Sequence, residues 1–81
     1  MIIGFFGKLG ELIGRQIELD TPSDVRTVDE LKKWLSTAYP DAASEFSATR
    51  LKAAIDDVMV PGSTEFAGAH HVEFFPPVSG G

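Results

Sequence analysis

Residues 27–38 constrain this chain more than any other segment. Thr27-Val-Asp-Glu30 has the form of a capping box, in which the Thr hydroxyl accepts from the third helical N–H and the Glu carboxylate reaches back to the cap. Val28, Leu31, Leu35 and Ala38 then recur at helical spacing with Trp34 beside them, while Asp29, Glu30, Lys32 and Lys33 take the opposite side. Tyr39-Pro40 stops the helix, because the residue before a proline is pushed out of the α region. The other apolar runs are short and carry the pattern of strands: residues 1–6, 15–20, 50–55, 58–60 and 70–75. One amphipathic helix has one apolar stripe, and it can cover one face of one small mixed sheet. The expected fold class is therefore two-layer α+β, in a single domain over residues 1–81.

The connections follow from turn chemistry. Residues 7–14 hold three glycines around Leu9, Leu12 and Ile13 and read as a loop or irregular turn between the first two strands. Residues 21–24 read as a turn, and residues 41–49 as a connection with one short helical turn at Ala42, Ala43 and Phe46. Asp56-Asp57 is expected to be a turn, and residues 63–69 a loop with Phe66 tucked beneath it. In the third strand, alternation sets Leu51, Ala53 and Ile55 against Arg50, Lys52 and Ala54. In the last strand it sends Val72 and Phe74 into the core and His71, Glu73 and Phe75 outward. Applied to the first strand, the same parity sends Ile3 and Phe5 inward and Phe6 outward. An exposed Phe6–Phe75 pair on the uncovered sheet face is the candidate docking patch, since aromatic anchors dominate interface hot spots.

Composition removes several function classes. The 81 residues include no Cys, which excludes disulfides, thiolate zinc sites and a Cys nucleophile. A net charge of −5 argues against nucleic acid as a partner, because phosphate recognition needs a basic face. His70 and His71 are neighbours on a strand and face opposite ways, so no metal site is expected of them. Trp34 reads as core. The apolar start, residues 1–6, is far shorter than the ~20 residues of a membrane span and lacks the marks of a signal peptide, so no membrane is expected and the chain reads as cytoplasmic. A chain this small has little volume for a deep pocket, and no nucleophile–base pair stands out, so a carrier or binding role is favoured over a free-standing enzyme.

The last residues are the most specific. Pro76-Pro77 ends the final strand and forces an extended exit, since each ring locks φ near −65°. Val78, Ser79, Gly80 and Gly81 follow, uncharged and ending in two residues without side chains. Such a tail is slim enough to enter a narrow channel in another protein. Residues 72–81, Val-Glu-Phe-Phe-Pro-Pro-Val-Ser-Gly-Gly, resemble the C-terminus of the molybdopterin synthase small subunit (MoaD-like), in the ubiquitin-like β-grasp sulfur carrier family of MoaD and ThiS proteins. The resemblance extends over the chain through Phe5-Phe6-Gly-Lys-Leu-Gly-Glu-Leu12, Thr27-Val-Asp-Glu-Leu31 and residues 51–56. Gly10 stands where that family usually has Arg, and Asp56-Asp57 where an Asn is common.

What the resemblance implies is concrete. The fold would be a β-grasp. Gly81 would be adenylated at its carboxylate and then thiocarboxylated, with Gly80 keeping the channel around the reacting acyl group clear of any Cβ. The thiocarboxylate would pass sulfur to cyclic pyranopterin monophosphate on the way to molybdopterin and the molybdenum cofactor. No cofactor would be bound to the chain itself, and ATP would be used by the activating enzyme. The expected partners are the synthase large subunit, in a heterotetramer, an E1-like adenylyltransferase and a sulfur donor protein. This chain would be noncatalytic, with the catalytic groups on the large subunit, and Phe6, Phe75, Pro76, Pro77, Val78 and Ser79 would meet the partner. The alternatives are a carrier of the same fold for thiamine or thiolated-tRNA synthesis, or a ubiquitin-like protein modifier.

Overall fold

The elements run β1 (Ile2–Phe5), α1 (Lys8–Ile13), β2 (Gln16–Glu18), α2 (Val28–Ala38), a 3-10 turn (Pro40–Ala42), α3 (Ala43–Phe46), β3 (Lys52–Ile55), β4 (Val58–Val60) and β5 (His71–Phe75). The structure is a computed structural model that describes residues 1–48 and 50–76. Among the described residues the strands form one five-stranded mixed sheet in the order β2-β1-β5-β3-β4. β1 and β5 lie parallel at its centre with Phe5 opposite Phe74, and every other neighbouring pair is antiparallel.

The helix of residues 28–38 forms as its sequence predicts, with both halves of the capping box present. Glu30 Oε1 accepts from the backbone N–H of Arg26 and of Thr27, at 3.0 and 2.9 Å, and Thr27 Oγ1 accepts from the Glu30 N–H at 3.2 Å. The backbone bonds from Thr27 and then Arg26 hold the Glu30 carboxyl below its ordinary pKa, against an opposing contribution from burial. The loop before β5 satisfies the remaining donors: Val28 N–H donates to Thr64 O and Asp29 N–H to Gly62 O. That loop also seats Phe66 in the core, as expected.

Val28, Leu31 and Leu35 of α2 bury completely against Ile3, Phe5, Val72 and Phe74 of the sheet. Phe46 closes one end of the layer, meeting Phe5 and Phe74 edge-on at ring centroid distances of 6.1 and 5.8 Å. Trp34 is half-buried at the rim of this core and Ala38 is exposed, so the apolar stripe of α2 is narrower than its sequence suggests.

Residues 7–14 differ from the expected loop. They fold into the short helix α1, with Leu9 fully buried and the Gly14 N–H closing the last turn on Gly10 O. The glycines read as loop markers are structural in a different way. Gly7 and Gly14 flank the helix at φ +60° and +121°, which only glycine adopts easily. A Cβ on Gly10 would stand 3.0 Å from the Phe5 carbonyl oxygen, a tight contact, so the glycine eases the close packing of α1 on β1. Ala54 is a second departure. It lies on the outer face as its parity requires, yet it is buried, between its longer register partners Glu73 and Met59.

Candidate docking surface at the root of the tail

β1 and β5 each end in a Phe-Phe pair, and the parallel register brings the two pairs side by side. Because successive side chains on a strand point to opposite faces, Phe5 and Phe74 enter the core while Phe6 and Phe75 lie on the sheet face that α2 leaves uncovered. Phe6 is 46% exposed and Phe75 is half-buried. Their rings stack at 4.6 Å between centroids and 12° between planes. The strand ladder continues past Phe5, with the Phe6 N–H donating to Phe74 O at 3.2 Å, which holds the two rings in register.

The next residues along the two strands, Gly7 and Pro76, also lie close together. Gly7 turns away from the sheet at positive φ, and the Pro76 ring lies where a Cβ of Gly7 would be in van der Waals contact, with Pro76 Cγ at 3.5 Å. The tail therefore leaves the domain from a platform made of Phe6, Gly7, Phe75 and Pro76. Of the residues singled out in the sequence, the structure brings together Phe6, Phe75 and Pro76. Pro77, Val78, Ser79, Gly80 and Gly81 lie outside the described residues.

On the β1 side of the aromatic pair, a groove of about 610 Å³ runs over Gly4 between Phe6, Glu11, Arg15, His71 and Glu73. Over Gly4 the Glu73 side chain, with Cγ 3.2 Å from the position of a Cβ, takes the volume a side chain there would need. At the other end of β5, the carboxylate of Asp56 in the β3–β4 turn accepts from the backbone N–H of His71 at 2.8 Å and of His70 at 3.0 Å. The His71 bond, followed by the weaker His70 bond, lowers its pKa despite an opposing effect of burial. Asp56 and Asp57 adopt φ of +46° and +72°, the left-handed pair that a two-residue hairpin turn demands and that Asp tolerates. The Asp56 carboxylate thus ties this turn to the start of the strand that carries the aromatics. Among the described residues no three His, Asp or Glu side chains cluster to hold a metal, and no helix is long and apolar enough to cross a membrane.

The ThiS family matches residues 3–81, nearly the whole chain and through Gly81. The chain belongs to the ThiS family. No curated protein matches it. The crystal structure of SAMP1 from Haloferax volcanii is similar in fold, with a TM-score of 0.76 and 24% sequence identity over 99% of this chain and 97% of that chain. The sheet order and covering helix described above are accordingly a ubiquitin-like β-grasp, and the family is one of ubiquitin-like sulfur carriers. Such carriers work with E1-like activating enzymes and sulfur-transfer partners.

Proposed function

We propose that this carrier is the small subunit of molybdopterin synthase, with the Phe6–Phe75 stack as its anchor on the large subunit and Gly81 as its sulfur-bearing residue. The observation that supports this reading is the pairing of an exposed aromatic stack with the root of an uncharged Pro-Pro-Val-Ser-Gly-Gly tail. A carboxylate is a poor electrophile because it is already anionic. In the proposed sequence, the Gly81 carboxylate oxygen attacks the α-phosphorus of ATP in the E1-like adenylyltransferase, and pyrophosphate leaves. Hydrosulfide, supplied by the sulfur donor protein, then attacks the acyl carbon. AMP departs, a proton is released, and a thiocarboxylate remains. No oxidant or reductant is consumed in either step. Delivered into the large subunit, that sulfur is the nucleophile for cyclic pyranopterin monophosphate, and the heterotetramer is the working assembly. A Cβ at Gly80 or Gly81 would crowd the reacting acyl group.

The test is reconstitution. The chain ending at Gly81 is incubated with ATP, the adenylyltransferase and sulfide, and its intact mass is expected to rise by the difference between sulfur and oxygen. Adding the large subunit and cyclic pyranopterin monophosphate should yield molybdopterin and return the chain to its original mass. Sulfur transfer only to a thiazole-forming or tRNA-thiolating enzyme, or isopeptide-linked conjugates in cells, would replace this reading with one of its relatives.

A further inference from the structure

The opposite side of the aromatic pair carries charge that the docking of Phe6 and Phe75 does not use. β3 begins beside the end of β5, with Lys52 the register partner of Phe75. A groove of about 440 Å³ opens there between β3, β4 and α2, lined by Arg50, Lys52, Lys32, Asp29, Met59 and Gly62 among others. The chain has 7 basic residues against 12 acidic ones, and three of the seven line this one groove with a single carboxylate. Lys32 is largely engaged, with Nζ 3.8 Å from Asp29 Oδ1 and donating to Leu51 O at 3.4 Å. Arg50 and Lys52 are exposed, and among the described residues neither has a carboxylate within ion-pair distance. Met59, 54% exposed, supplies an apolar wall.

We infer that this groove receives an acidic segment of the E1-like activating enzyme, whose carboxylates pair with Arg50 and Lys52 while the tail root is held beside them. Two observations select that occupant. Three of the seven basic residues gather here on a protein whose net charge is −5, so the groove is a favourable place for an acidic partner to land. It also adjoins Phe75 and so the root of the tail, which any enzyme that adenylates Gly81 must hold. The inference rests on the reading of Gly81 as the activated residue, and it holds for each of the sulfur carrier readings, because all of them require that enzyme. Arg50 presents a planar fork suited to bidentate carboxylate binding, and Lys52 a mobile point charge.

The experiment measures association and dissociation rates of the full chain with the adenylyltransferase at low and high salt, for wild type, Arg50→Glu, Lys52→Glu and the double variant. The double reversal is expected to slow association about tenfold or more at low salt, to remove most of its salt dependence, and to leave the melting temperature unchanged. Unchanged association and salt dependence in the folded double variant would overturn the inference. So would retention of a short DNA duplex by wild type that the reversal abolishes while association with the enzyme stays intact. Binding of the same variants to the synthase large subunit is measured in parallel. A wild-type chain that binds the adenylyltransferase but not the large subunit sinks the synthase reading and leaves the groove assignment standing on its own rates.

Discussion

Phe5 with Phe74, and Phe6 with Phe75, form two aromatic pairs built from the same residue type on the same two strands. The inner rings stand 6.2 Å apart at 17°, fenced by Phe46 and sealed from solvent. The outer rings stand 4.6 Å apart at 12°, and Phe6 keeps nearly half its surface in water. Composition and strand propensity cannot account for the difference, because they are identical. Parity does: one step along the chain changes the face, and the face decides whether a phenyl ring stabilises the fold or waits for a partner.

The largest effect that separates the pairs is on the inside. Phe74→Ala should cost about 3–5 kcal/mol, because the cavity would sit against the rings of Phe5 and Phe46 and could collapse only partly. For a domain of this size that is a large part of the total, so urea unfolding should show a chain at the margin of folding. A loss below about 1 kcal/mol would mean that the inner pair is not a core element. Outside, Phe75→Ala should cost no more than about 1.5 kcal/mol in the same assay, the scale of one lost aromatic pair. Its affinity for the large subunit should fall by about 2 kcal/mol or more, roughly 30-fold. Comparable losses of stability for Phe74→Ala and Phe75→Ala, with affinity unchanged, would erase the distinction.

Gly7 offers a smaller lever on the outer pair alone. Its backbone at φ +60° and ψ −134° turns the chain out from under Phe6 and lets Pro76 lie against it. Gly7→Ala should cost about 1–2 kcal/mol through backbone strain. It should also loosen the Phe6–Phe75 stack while leaving Phe5–Phe74 in place, which chemical shifts of the four rings would report. Shifts confined to the inner pair would contradict this account.

The contrast between the two pairs was legible in the sequence, because period two is a local property and needs only a strand and a core. The order of elements was legible for the same reason, with one helical stripe among several strand runs. The stacking of Phe6 on Phe75 was not, since it depends on a parallel register between the first and last strands that no local pattern records. α1 was obscured by its glycines, although Gly14 at the position just past Ile13 is a helix-stop signal. What turns residues 8–13 into a helix is the burial of Leu9 and the close approach of Gly10 to Phe5, both tertiary. The basic groove was hidden in the same way. Arg50 stands in the turn before β3, Lys52 opens that strand and Lys32 sits on a helix, and only the packed fold sets them around one opening.

The smallest expected effect lies at the far end of β5, where charge replaces hydrocarbon. Asp56 holds the start of the strand through the N–H groups of His70 and His71, and those bonds favour its ionised form, so its folded pKa is below the unfolded one. A group of this kind binds its proton less readily in the folded state. Its contribution is therefore complete above the ordinary carboxylate range and is lost as pH falls through the lowered value. Asp56→Asn keeps an acceptor oxygen and tolerates the left-handed turn, but it cannot titrate. Wild type should melt higher than the variant at neutral pH, and the gap should narrow as the pH is lowered from about 5 toward 2. Neither aromatic pair can produce such a dependence, so the gap isolates the carboxylate end of the strand from the phenyl end. Melting curves of the two proteins across that range give the answer. Curves that stay parallel throughout would show that the Asp56 bonds are no stronger for the anion than for the amide.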